Sequence, residues 1–408
     1  METTMGERVA RVIAHHAYTP LADGSHENYL RVKAGQSAVS LHKAEEWGLA
    51  EDFMAGLITD SVDSMNPIAI PVVSQGLIAD SAGSKGSVGR GLSAATPRAT
   101  NMALHSIRRT LEQLTEPLPK DDTLLIVSTT KGNINLITDE HEEAVLLGTM
   151  AQAIADNLGL MKRPLVVSNA CTSGVCAQVV AQRALLSGLC RYAIVCGVEA
   201  QSRFIVSGFQ SFHALSPEHC RPFSQNRIGL NVGEAAATII YKVSSAADIQ
   251  PEDWTLQAGA IRNDANHISG PSRTGEGSYR ALRAVMNNAA AEDLAFVSVH
   301  GTATPYNDEM ESIAIDRAGL IEVPIGSLKG YYGHTMGAAG VLETIISMEA
   351  VDDHTILATL GYDDQLGVSH PVLVASTNRA TAKRQFVKLI SGFGGCNAAI
   401  RMQKGGAQ

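Results

Sequence analysis

Residues 166–178 read VVSNACTSGVCAQ. A β-branched run stops at Ser168-Asn169-Ala170, Cys171 follows at once, and Thr172-Ser173-Gly174 opens a segment rich in Ala and Val. A strand feeding straight into a helix is the unit from which α/β sheets are built. The same turn puts a thiol at a helix start, where unpaired N–H groups and the positive dipole end favour negative charge. A free thiol titrates at about 8.5, and only its thiolate is nucleophilic. Two readings stand on these residues alone: Cys171 is a placed nucleophile, or it packs, as free cysteines commonly do. Cys176, about 140° further around the helix, reads as a core thiol.

The alternation continues along the chain. Strands are predicted at 123–129, 164–170, 192–198, 236–243, 296–301, 372–377, 386–393 and 397–403, with helices such as 174–188 and 340–351 between them. Several strands are apolar throughout, as expected when helices cover both faces of a sheet. The polar, Pro-containing connection SSAADIQPEDW (244–254) divides the chain into two similar α/β halves, 1–250 and 251–408.

Composition bounds the function classes. Of 408 residues 45% are hydrophobic and 18% charged, an ordinary globular balance with room for two cores. The N-terminus has no basic stretch followed by an apolar one, and no apolar run is long enough to span a bilayer, so the expected compartment is the cytoplasm, away from any membrane. A formal charge of −9 argues against a general nucleic-acid surface. The six cysteines show no Cys-x-x-Cys pair and no zinc spacing, so free thiols are expected and no metal site.

Three further motifs carry chemistry. In SVHGTATPYNDEMES (298–312), His300 ends an apolar strand, where ligands bind in α/β sheets, and Thr302 and Thr304 offer hydroxyls. Asp308 and Glu311 share one side of the next helix. In GSLKGYYGHTMGAAGVLE (326–343), Lys329 and His334 flank a Gly-containing turn, Glu343 is the expected ion-pair partner of Lys329, and the stretch 337–340 of Gly and Ala lets its helix pack closely on a neighbour. In SGFGGCNAA (391–399), glycines around Phe393 free its N–H to face a cavity. Each has a bland reading too: a satisfied core histidine, a surface lysine with a capping histidine, and a hairpin turn.

Taken in order, Cys171, His300, Lys329, His334 and Gly392-Phe393-Gly394-Gly395 resemble the β-ketoacyl-acyl-carrier-protein synthases, on the elongating Cys-His-His branch that includes polyketide ketosynthases. Arg221-Pro222-Phe223, Arg227, Gly233 and Glu234 fall where the pattern has them, and 19–39 resembles the family's opening turn and helix. Ser224, Ile228, Ala235 and Cys396 depart from it, the opening strand RVARVIAHHAYTP lacks the usual glycine pair, and residues 40–100 are unlike the housekeeping fatty-acid enzymes. The segment GSKGSVGRG (83–91) lacks the P-loop ending and reads as a surface loop.

The resemblance implies a thiolase-like fold, two βαβαβαββ halves in a five-layered α-β-α-β-α core. It implies acyl transfer onto Cys171, then decarboxylative condensation with malonyl-acyl carrier protein. Cys171 and Phe393 N–H groups would form the oxyanion hole, with Phe393 also the gate. His300 and His334 would stabilise the enolate, and Lys329 would orient His334, held by Glu343 and by Asp308 or Glu311. Thr302 and Thr304 would contact pantetheine. No dissociable cofactor is implied beyond the 4'-phosphopantetheine of the carrier protein, and the implied assembly is a homodimer or a heterodimer with a ketosynthase-like partner. Two alternatives compete. A non-catalytic chain-length-factor-like subunit would lack the nucleophile. A thiolase would use a second cysteine, for which Cys396 is the candidate, and an initiating synthase would carry Asn at the place of His334.

Overall fold

The computed structural model describes residues 8–59, 97–137 and 142–405, so the expected loop at 83–91 lies outside the described residues. In the first half, β1 (Arg8–Tyr18), α1 (Arg98–Leu111), β2 (Thr123–Ser128), α2 (Leu147–Leu158), β3 (Leu165–Val167), α3 (Ser173–Leu186) and β4 (Tyr192–Glu199) follow in turn. A helix α4 (Arg203–Ser211) then precedes β5 (Ala235–Ser245). The second half runs β6 (Trp254–Asn263), α5 (Glu276–Val285), β7 (Leu294–Ser298), α6 (Pro305–Arg317), β8 (Ile325–Gly326), α7 (Ala339–Asp352), β9 (Gln385–Gly392) and β10 (Cys396–Lys404).

The strands form one hydrogen-bonded sheet of ten, ordered β8-β7-β9-β10-β6-β1-β5-β4-β2-β3. Its two halves have the same plan. In each, the second strand pairs parallel with the third and fourth, while the fifth pairs antiparallel with the fourth and first. The halves meet where Ala10 and Arg11 of β1 pair with Leu256 and Thr255 of β6. The duplication is therefore one of topology.

Side chains alternate along the strands and sort into separate cores. Leu124 and Ile126 of β2 face a central core with α3 and α7, whereas Leu125 and Val127 face an outer one with α1 and α2. On β9, Phe386 and Ile390 face the centre, and Val387 and Leu389 join α5 and α6 in the other outer core. The layers are thus α1/α2, one half of the sheet, α3/α7, the other half, and α5/α6. Helix α1 buries one stripe (Ala99, Met102, Ala103, Ser106, Ile107, Thr110), as an outer helix does. Helices α3 and α7 are buried nearly all round, as required between the two halves of the sheet.

Those two central helices cross at their first turns. A methyl on Gly174 would lie 2.9 Å from the backbone nitrogens of Gly340 and Val341, and one on Gly340 would lie 2.8 Å from the Gly174 carbonyl carbon. Backbone atoms cannot rotate away, so Gly340→Ala is expected to cost about 1–3 kcal/mol. An unchanged urea midpoint for that variant would contradict the crossing.

Two strand expectations are corrected. Residues 372–377 form no strand: beside the two-residue β8 they make only a bridge at Ile325–Val374 and its flanking hydrogen bonds, because β8 is too short to extend a ladder. The strand expected over 296–301 ends at Ser298, which leaves His300 in the loop beyond it. Among the described residues no helix is long and apolar enough to cross a membrane. All six cysteines are free.

Candidate active site

Cys171 follows β3 and precedes α3; His334 occupies the corresponding turn between β8 and α7 in the other half. Because α3 and α7 cross at their starts, these two turns meet, and the duplication itself builds a site at the strand ends. The chain enters the first turn strained: Ala170 has φ 48°, left-handed for a non-glycine residue. Hydrogen bonds hold it there, from Ser173 Oγ to Ala170 O at 2.6 Å and from Thr172 Oγ1 to Asn169 O at 2.6 Å.

The Cys171 sulfur and one ring nitrogen each of His300 and His334 lie within 4.8 Å of one another. The two rings meet edge to face, their centroids 4.9 Å apart. His334 Nδ1 accepts from the Met336 N–H at 3.2 Å, which puts the proton on Nε2, and that nitrogen has no hydrogen-bond partner. Nor has Nδ1 of His300. Burial, then the charge of Lys329, holds both imidazoles well below their ordinary titration range, so both are neutral.

Phe393 sits in the three-residue turn between β9 and β10, with Gly394 and Gly395 at φ 85° and 72°. The hairpin and the cavity-facing N–H are the same feature. Backbone N–H groups of Cys171 and Phe393 both point at the Cys171 thiol. Burial nevertheless pushes that thiol up to about 12, against the pull of Lys329 and of those two N–H groups. The resting group is therefore a thiol: desolvation outweighs the pull of the helix end.

A cavity of about 540 Å³ opens over these groups, lined among others by Cys171, His300, His334, Phe393, Thr302 and Thr304. The two threonine hydroxyls are 2.9 Å apart. The Phe393 ring rests against Phe209 and Phe212, at 6.1 and 5.6 Å between centroids.

The chain matches the descriptions "Beta-ketoacyl synthase, N-terminal domain" over residues 98–247 and "Beta-ketoacyl synthase, C-terminal domain" over 255–363, together more than half of its length. It belongs to the β-ketoacyl synthase family. This synthase is 29% identical over 304 residues to a 3-oxoacyl-[acyl-carrier-protein] synthase 2 of Vibrio cholerae, covering 66% of this chain and 72% of that one. To a putative polyketide beta-ketoacyl synthase 1 of Streptomyces halstedii it is 27% identical, with 62% and 63% covered. The solved ishigamide ketosynthase/chain length factor superposes with a TM-score of 0.81 at 22% identity, over 98% of this chain and 100% of that one, and the shared fold is thiolase-like.

Below the cavity the synthase buries a charge cluster. Glu343 on α7 ion-pairs through one carboxylate oxygen with Lys329 and through the other with Lys388 on β9. All three side chains are almost fully buried. Lys388 also donates to the carbonyls of Ser298, at 3.2 Å, and Val299, at 2.9 Å, so it braces the loop that carries His300. Burial, together with the neighbouring Lys329, lowers Lys388 to about 8 despite Glu343. Burial would raise Glu343, but the two lysines outweigh it and hold the carboxyl low.

Asp308 and Glu311 do not touch Lys329, which corrects that expectation. They take backbone N–H groups instead, with Asn307 also donating to both and Arg227 ion-paired with Asp308. Glu311 accepts from the N–H groups of His300 and Gly301, both at 2.7 Å, and Asp308 from that of Phe223 at 2.8 Å. Burial raises Glu311 to about 7 and Asp308 to about 6.

Two buried charges are not evident from the sequence. Lys388 is a lone cation in an apolar strand, and that oddity is its only signal. Glu199, at the end of β4, accepts from the N–H groups of Thr130 at 2.8 Å and Gly337 at 2.9 Å, tying the end of β2 to the turn before α7. Nothing local marks it.

Proposed function

We propose that this synthase condenses an acyl group held on Cys171 with the malonyl group of malonyl-acyl carrier protein, giving β-ketoacyl-acyl carrier protein and CO₂. The observation that carries the reading is the convergence on one sulfur of two neutral imidazoles and two backbone N–H groups. A chain-length-factor-like subunit has no use for that sulfur. Cys396, the thiolase candidate, instead donates to Asn169 Oδ1 at 2.9 Å.

In the first half-reaction the Cys171 thiol attacks the acyl thioester of the carrier's pantetheine arm. Its proton passes through His300, whose tautomer no partner fixes, to the departing pantetheine thiolate. The oxyanion of the tetrahedral intermediate lies between the N–H groups of Cys171 and Phe393. In the second, malonyl thioester loses CO₂, and its enolate oxygen takes hydrogen bonds from the His300 and His334 rings. The enolate carbon attacks the acyl carbonyl, the C–S bond to Cys171 breaks, and the released thiolate takes a proton from solvent water. Neutral imidazoles suit the task because they donate without acidifying the site.

Lys329, Lys388 and Glu343 act as positioning residues: their net positive charge adds to burial in keeping the imidazoles neutral and biases the site toward a developing anion. Thr302 and Thr304 take the pantetheine amides, and Phe393 swings off Phe209 and Phe212 as the acyl chain enters. The chain divides functionally at about residue 250, with the nucleophile on one side and the histidines on the other. It works in the cytoplasm as the catalytic member of a pair, with a second copy or with a ketosynthase-like partner, an arrangement supported by its likeness to the ishigamide ketosynthase/chain length factor. Mass determination of the native complex separates the two pairings.

Mass spectrometry after incubation with a set of acyl-acyl carrier proteins tests the core of the reading. An acyl adduct is expected on Cys171 and released by malonyl-acyl carrier protein; an adduct elsewhere would overturn it. His334→Ala is expected to slow malonyl decarboxylation by about 10²–10³-fold, the loss typical of one oxyanion donor. Acylation of Cys171 should persist in that variant. Complete loss of acylation would mean that His334 serves the first half-reaction.

A further inference from the structure

The opening strand lacks its family's glycines and carries His15-His16 instead, and nothing in the condensation uses them. His16 points into the first half of the protein, its side chain 5% exposed. Neither of its ring nitrogens makes a hydrogen bond. Buried polar atoms are almost always satisfied, and one that is not calls for an explanation such as an ion. Two other candidate ligands stand beside it. His16 Nε2 lies 3.0 Å from Oδ1 of Asp23, and His105 Nε2 is hydrogen-bonded to the same oxygen at 2.8 Å. The three donor atoms are mutually within 4.8 Å.

We infer that His16, Asp23 and His105 form a binding site for a divalent transition-metal ion of the zinc type. The donor set is two imidazole nitrogens and one carboxylate, which suits zinc and its first-row neighbours far better than calcium or magnesium. Tetrahedral zinc with ligands at about 2.0–2.2 Å sets neighbouring donors about 3.3 Å apart. The two contacts to Asp23, at 3.0 and 2.8 Å, need only a few tenths of an ångström of opening, and the two imidazole nitrogens, within 4.8 Å of one another, would close on the ion. The His16–Asp23 contact falls at hydrogen-bond distance without hydrogen-bond alignment. Asp23 is on the exposed side, leaving a fourth position for water. The ion would pin β1, the turn after it and α1, three elements that no local spacing joins.

Zn²⁺ alone is the probe, titrated into the full chain against a chromophoric chelator. Cys171→Ser is used as the background, because Cys171, His300 and His334 also bring a thiol and two imidazoles together. One ion per chain is expected. His105→Gln and Asp23→Asn, both at partly exposed positions, should each weaken it by at least about 100-fold, and His300→Gln should leave it unchanged. Co²⁺ in place of Zn²⁺ should give the visible absorption of a four-coordinate nitrogen and oxygen site, lost in His105→Gln. No bound ion, or binding indifferent to both His105→Gln and Asp23→Asn, would overturn the assignment.

Discussion

Cys171→Ala is expected to abolish condensation, by at least about 10⁴-fold, the scale on which covalent nucleophiles are lost, and to leave malonyl decarboxylation running. The two outcomes separate because the proposed mechanism uses different groups for each. Covalent capture needs the sulfur, which no other residue replaces: Cys176 is buried in the central core and Cys396 is bonded to Asn169. Enolate stabilisation needs the free imidazole edges of His300 and His334, and a methyl at residue 171 leaves both in place. The pH dependence follows from the same groups. The wild-type thiol, pushed up to about 12, is protonated across neutral pH, so acylation needs a proton acceptor. The imidazoles are held well below 6.5, so decarboxylation by Cys171→Ala should show no acid limb where an ordinary histidine titrates. Release of CO₂ from malonyl-acyl carrier protein, measured without an acyl donor, reads this directly. A variant that formed an acyl-enzyme, or that lost decarboxylation along with condensation, would refute the division of labour.

The residues legible in the sequence are those at sharp turns. Cys171, His300, His334 and Phe393 each follow a strand end and stand near glycines, and in an α/β protein strand ends are where sites assemble. The close packing expected of residues 337–340 is readable from small side chains, but the neighbour is not; the fold supplies α3. Pairwise partners across layers are the weak point. Asp308 and Glu311 are readable as sharing a helix face, yet what that face meets depends on how α6 lies over the His300 loop, and it meets backbone N–H groups. Lys388 is hidden for the same reason. Its strand register with Phe386 and Ile390 aims it at the central layer, where Glu343 waits on a helix 45 positions earlier. Likewise His16, Asp23 and His105 come from a strand, a turn and a helix. The thiol's protonation state is not legible because helix position is written in the sequence and burial is not.

Glu343→Gln is expected to destabilise the synthase more than any other conservative change at the site. The carboxylate lies between the ammonium groups of Lys329 and Lys388, and all three are buried. The amide keeps its shape and loses its charge, leaving two cations facing one another with no anion between. Removing one partner of a buried pair costs about 3–5 kcal/mol, and here both lysines are stranded. Lys388 is the one that yields, since burial and Lys329 already bring it down to about 8 while Glu343 holds it up. An unfolded lysine keeps its proton to about 10.4, and stability rises with pH wherever the unfolded chain binds more protons. Wild-type stability should therefore gain from this group between about pH 8 and 10.4, and in Glu343→Gln the gain should begin at lower pH. Urea denaturation across that range measures both effects. The double variant Glu343→Gln/Lys388→Met removes one stranded charge and puts an apolar chain of similar length among Phe386 and Ile390, and should recover about 1–3 kcal/mol of the loss as coupling between neighbours. If it recovers nothing, the two lysines do not share the carboxylate in energy, and the bonds of Lys388 to the Ser298 and Val299 carbonyls are its whole role.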